Sequence, residues 1–129
     1  SARNEGMKYI EGKYTVFLDS DDKWDLSAFA TAYAFFEKHD DEVDAVSCRV
    51  KRFEAYNDYY SLDYKFKAGT RIADINNPEE NYSIQTLITP VVLKSEAIKH
   101  LRFDTRMICG EDTYFYIMLV LEKCKIGFL

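Results

Sequence analysis

The stretch YTVFLDSDDKW, residues 14–24, constrains what this chain can fold into more than any other. Residues 15–18 are apolar or β-branched and run directly into three carboxylates, Asp19, Asp21 and Asp22. A short apolar run of this kind is typical of a central strand buried on both faces. Its carboxyl end must then reach the surface, because clustered acids repel one another unless water or a cation screens them. Within the cluster only Lys23 is basic.

Helical and strand-like patterns alternate along the rest of the chain. Residues 4–11 read as a short helix closed by Gly12. Residues 26–38 carry Phe29, Ala32, Tyr33 and Phe36 at helical spacing, with Asp25 or Ser27 as the cap. Residues 45–53 alternate Val46, Cys48 and Val50 with Ser47, Arg49 and Lys51, as a strand does. The tyrosine-rich stretch 55–71 is a hairpin or an irregular lid, and INNPEENYS, residues 75–83, is expected to be a loop. An apolar strand-like segment at 85–93, a short helix at 95–100, a strongly apolar helix at 110–123 and a strand at 124–129 complete the order. Such alternation predicts an α/β sheet covered by helices on both faces. Ligands of open sheets of this class bind beyond the carboxyl ends of the strands, where Asp19, Asp21 and Asp22 fall.

The length of 129 residues suits a single domain over 1–129, and 47% hydrophobic against 30% charged residues predicts a globular chain. A net charge of −5 and no basic stripe argue against nucleic acid as a partner. Cys48, Cys109 and Cys124 are widely spaced, which gives neither a disulfide framework nor a zinc motif and points to a reducing, cytoplasmic compartment. No apolar run approaches the roughly 18 residues of a membrane span, and no signal peptide opens the sequence.

Three constellations carry possible chemistry. Asp19, Asp21 and Asp22 form either a hydrated turn or an oxygen-rich site for Mg²⁺ or Mn²⁺, which need one or two carboxylates beside water and phosphate oxygens. A calcium loop is excluded, since Lys23 stands at a ligand position and no glycine follows. In CGEDTYFYIMLVLE, Glu111 and Asp112 open a helix; they complement its dipole, or one of them is a general base at the mouth of a cleft. In SARNEG, Arg3 is a solvated residue or a contact to a phosphate or base ring. Tyr56, Tyr59, Tyr60 and Tyr64 pack in a sheet or stack on sugars, and neither His39 nor His100 is assigned a metal.

ARNEGMKYIEGKYTVFLDSDDKW strongly resembles the A-R-N-x-G-x-x-x-A-x-G-x-Y-x-x-F-L-D-x-D-D segment of family 2 glycosyltransferases, the GT-A class that uses nucleotide-activated sugars. FDTRMICGEDTYFYIMLVL is similar to that family's later segment, in which a Glu-Asp pair opens a helix. The resemblance implies a three-layer sandwich with a mixed, mostly parallel central sheet. It also implies inverting transfer of a sugar from a nucleoside-diphosphate donor to a hydroxyl of a polysaccharide, a lipid-linked acceptor or a protein glycan. By the same resemblance Asp112 matches the general base and Glu111 its neighbour. Arg3, Asn4, Asp19 and Asp21 would lie on the nucleotide-sugar, and Asp21 and Asp22 on Mn²⁺ or Mg²⁺. The family's first strands have no counterpart here, so the chain is expected to be a truncated domain with its N-terminal strands missing, inactive alone. Its exposed sheet edge would suit a homodimer, and the parent would work in the cytoplasm or peripherally at the inner face of the cell membrane. The competing expectation is a non-catalytic binding or interaction module that keeps the fold.

Overall fold

The computed structural model describes residues 1–50, 63–85 and 91–129 of the chain. Five strands, β1 (Tyr14–Val16), β2 (Ala45–Ser47), β3 (Arg71–Ile72), β4 (Val91–Lys94) and β5 (Ile126–Phe128), form one sheet in the order β1-β4-β2-β5-β3. The helices are α1 (Ala2–Gly6), α2 (Leu26–Lys38), α3 (Pro78–Gln85), α4 (Ser95–Ile98) and α5 (Glu111–Leu121), with 3₁₀ turns at Met7–Tyr9 and Asp63–Phe66. Strand β4 pairs antiparallel with both β1 and β2, β2 pairs parallel with β5, and β3 pairs antiparallel with β5. The sheet is therefore mixed, with β1, β2 and β5 running one way and β3 and β4 the other.

Register explains the two cores. Val16, Val92, Val46, Gly127 and Ile72 form one row across all five strands. Successive residues of a strand face opposite sides, so this row packs with Ala32, Phe35 and Phe36 of α2. The neighbouring row, Leu93, Ala45 and Ile126, packs with Phe115, Tyr116 and Leu119 of α5 on the other face. Helices on both faces of a sheet give the expected three layers. Asp25 caps α2, accepting a 2.8 Å hydrogen bond from the Ser27 amide.

Three of the four pairings among the described strands are antiparallel, because β4 inserts between β1 and β2 and β3 returns beside β5, whereas the resemblance implies a mostly parallel sheet. The remaining differences from the sequence reading are local. Strand β1 lies at the end of the described sheet and is half-buried, whereas β2, β4 and β5 have the fully buried character expected of β1. An apolar run reports what a strand touches above and below it, not how many neighbours it has. Strand β2 stops at Ser47, and residues 51–53 of the expected strand lie outside the described residues, as do Tyr56, Tyr59, Tyr60 and residues 86–90. The expected loop at 75–83 contains most of α3. Its signals were local: Asn77 Oδ1 accepts from the Glu79 amide at 3.0 Å, and Pro78 takes the first helical position, where a missing N–H costs nothing. Arg71 pairs with Glu80, and Glu80 Oε2 accepts from the Asp74 amide at 2.8 Å, tying β3 to α3. No helix among the described residues is long and apolar enough to cross a membrane.

At Gly127 α2 presses close to the sheet: a Cβ there would stand 2.7 Å from Phe35 Cε1. Gly127→Ala is expected to cost about 1–3 kcal/mol through overpacking, read by urea denaturation. The three cysteines are free thiols, with Cys48 buried and Cys109 exposed. Burial pushes the Cys48 thiol up to about 11. Iodoacetamide at neutral pH is therefore expected to modify Cys109 first and Cys48 only on unfolding, as peptide mapping would report.

Candidate functional site

The site is built where the chain leaves β1 and where α5 begins. After Val16, Phe17 sets its ring edge-on to Phe103 and Phe115, with centroids 5.0 Å and 5.7 Å away. That anchor fixes the two residues that follow, Leu18 and Asp19. The acid segment then turns, closed by a 3.1 Å hydrogen bond from the Asp22 amide to the Asp19 carbonyl. On the other side Gly110 adopts a left-handed conformation (φ 75°), which reverses the chain into α5 and places Glu111 and Asp112 in its first turn.

Arg3 joins the two sides. Its Nη2 donates to Asp19 Oδ1 at 2.5 Å and its Nη1 to Glu111 Oε1 at 3.4 Å. The guanidinium also lies 5.3 Å from the centre of the Phe103 ring. Partial burial pulls the pKa of Arg3 down. The Asp19 hydrogen bond and the charges of Asp19, Glu111 and Asp112 outweigh it, and the net shift is upward. The sequence offered Lys23 as the only cation within the acid cluster; folding supplies Arg3 from sixteen residues upstream.

Arg3, Asp19, Glu111 and Asp112 are thus brought together. Asp112 Oδ1 accepts from the Thr113 amide at 2.7 Å. Asn4 behaves differently: its side-chain amide binds the backbone of Phe103, donating to the carbonyl and accepting from the N–H, each at 2.8 Å. Asp21 and Asp22 are exposed, and no ion pair or hydrogen bond engages their side chains among the described residues. Among those residues no three His, Cys, Asp or Glu side chains converge as a preformed metal cage. An oxygen-only pair such as Asp21 and Asp22 nonetheless fits a hard divalent cation that takes its remaining ligands from water and substrate.

Phe103 and Tyr116 were not singled out from the sequence, and Phe17 entered only as a matched position of the F-L-D segment. Tyr116 follows Asp112 by one helical turn and is 2% exposed. Burial raises its pKa, the Asp112 carboxylate adds to that, Arg3 opposes it and Asp19 adds again. The spacing of Asp112 and Tyr116 was the available signal.

A profile of the family described as "Glycosyl transferase family 2" matches residues 1–101. This chain belongs to that family. The matched span includes Arg3, Asn4 and the acid turn at 19–22. One relative, the minor teichoic acid biosynthesis protein GgaB of Bacillus subtilis (strain 168), is 35% identical over 127 residues, covering 98% of this chain and 14% of that protein. The fold is also that of the crystal structure of S. aureus TarS 1-349, with a TM-score of 0.76 and 24% identity over 98% of this chain and 36% of that one. This family 2 chain therefore spans well under half the length of both.

A double-mutant cycle on Arg3→Ala and Asp19→Ala tests the bridge. The coupling is expected to be about 0.5–1 kcal/mol in low salt, since Asp19 is 45% exposed. It should shrink in about 1 M NaCl, where screening acts within a few ångströms.

Proposed function

We propose that the intact protein transfers a sugar from a nucleoside-diphosphate sugar to a hydroxyl of a glycan polymer, with inversion at the anomeric carbon. The observation that carries this reading is the shared guanidinium of Arg3, which holds the acid turn after β1 against the acid pair that opens α5. In this reading the acid turn binds the donor, and Asp112 at the opposite wall receives the proton of the acceptor hydroxyl. The freed oxygen attacks the anomeric carbon from the face opposite the diphosphate. The bond from that carbon to the diphosphate breaks, and its electron pair leaves with the nucleoside diphosphate. Glu111, held by Arg3, orients the acceptor beside the base.

Arg3, Asp19 and Asp21 are the donor contacts. Asp21 and Asp22 would hold Mg²⁺ or Mn²⁺, which when bound supplies Lewis-acid neutralisation of the departing diphosphate. The name of the 35% identical relative supports a teichoic-acid-type polymer as the acceptor. Nucleotide-activated donors place the reaction on the cytoplasmic side.

The test is release of nucleoside diphosphate by the intact protein from a panel of UDP-, GDP- and CDP-sugars, with teichoic acid as acceptor and Mn²⁺ present. Transfer is expected, with EDTA abolishing it and Mn²⁺ or Mg²⁺ restoring it. Asp112→Asn should lower kcat roughly 100- to 10,000-fold while circular dichroism stays unchanged. Transfer by that variant at the wild-type rate would remove Asp112 from the role of base. Undiminished transfer in EDTA would remove the cation.

A further inference from the structure

Asn4 and Phe103 are 99 positions apart, yet the Asn4 side chain meets the Phe103 backbone as a second strand would. Both backbone polar groups of one residue are satisfied by one side-chain amide, Nδ2 donating to the Phe103 carbonyl and Oδ1 accepting from the Phe103 N–H, at 2.8 Å each. Phe103 is 3% exposed and lies in a segment without helix or strand. No other hydrogen bond reaches these two groups among the described residues. Backbone groups in such a part-buried place need a partner, because an unmade bond there carries a desolvation cost.

What Phe103 touches gives that clamp its meaning. Its ring stacks on Phe115 of α5 at 4.2 Å and 8°, meets Phe17 edge-on at 5.0 Å, and lies beneath the Arg3 guanidinium at 5.3 Å. Phe17 stands two residues before Asp19, and Phe115 stands one helical turn after Glu111 and Asp112. Three contacts of one ring therefore reach the segment that carries Asp19, the helix that carries Glu111 and Asp112, and the Arg3 guanidinium between them. Arg3 and Asn4 are adjacent in α1, so the clamp that holds Phe103 also sets where the guanidinium sits.

We propose that Asn4 is a positioning residue, which fixes the spacing between Asp19 and the Glu111–Asp112 pair by clamping the Phe103 backbone beneath Arg3. The inference deepens the sugar-transfer reading and, for its kinetic part, rests on it. Both polar atoms of the Asn4 side chain are engaged by the Phe103 backbone, so in this proposal Asn4 acts through Phe103 and not on the donor. Displacing either acid by a fraction of an ångström to an ångström spoils the alignment of reacting groups more than it weakens donor binding.

Two measurements on the intact protein test this, with Asn4→Ala and the near-isosteric Asn4→Asp kept well below their melting temperatures. Asn4→Asp still accepts from the Phe103 N–H but has no donor for its carbonyl. Expected is a kcat about 10- to 100-fold lower in each variant, with KM for the donor within about threefold of wild type. A raised donor KM at unchanged kcat would make Asn4 a donor contact and overturn the proposal. So would wild-type values of both constants in either folded variant. The second measurement needs no activity: the Arg3–Asp19 double-mutant cycle is repeated in the Asn4→Ala background, where the coupling should fall by at least about half. An undiminished coupling overturns the proposal even if transfer is observed. A wild-type protein without transfer, but with a coupling that collapses in Asn4→Ala, overturns the functional reading and leaves the clamp standing.

Discussion

One guanidinium stands between carboxylates that come from distant parts of the chain, and the site is organised around it. Arg3 reaches Asp19 at the end of β1 and Glu111 at the start of α5, while its face rests over Phe103. Without a cation at that point, the half-exposed carboxylates of Asp19 and Glu111 would face one another uncompensated. Like charges held close together repel, and the guanidinium between them offsets that repulsion. The remaining carboxylates, Asp21 and Asp22, point to solvent from the turn that follows. The division is physically sensible: the acid nearest the core has an internal partner, and the acids farther out stay open to one that arrives with the donor.

The aromatic cluster beneath the site converts this electrostatic arrangement into a rigid one. Phe17, Phe103 and Phe115 come from a strand end, an irregular segment and a helix, and each touches the other two. Offset and edge-on ring contacts have preferred geometries, so they fix orientation as well as distance. The register rows below them set the layers. Val16, Val92, Val46, Gly127 and Ile72 face α2, and the residues of the adjacent row face α5. Membership of glycosyl transferase family 2 and the TM-score of 0.76 with TarS accord with that layering.

Much of this was legible beforehand. The 3.6-residue spacing of Phe29, Ala32, Tyr33 and Phe36 marked α2, and its bounds at Leu26 and Lys38 agree with the structure. The acid turn and the Glu-Asp helix start were visible as residue patterns, and the resemblance joined them. Strand β3 and helix α3 were not read, because a two-residue strand has no periodicity and α3 has little amphipathic signal. Its cap, Asn77 followed by Pro78, was present and outweighed by the turn-forming composition around it.

The sequence by itself determined the alternating elements, the two acid groups and the family they belong to, because periodicity, capping and motif spacing are properties of short segments. Tertiary structure alone decided that β4 inserts between β1 and β2, that Arg3 is the counter-charge for Asp19, and that Asn4 faces the Phe103 backbone. Those are pairings between residues up to 99 positions apart. Their partners are chosen by what the folded layers bring within hydrogen-bonding reach, and no local pattern encodes that choice.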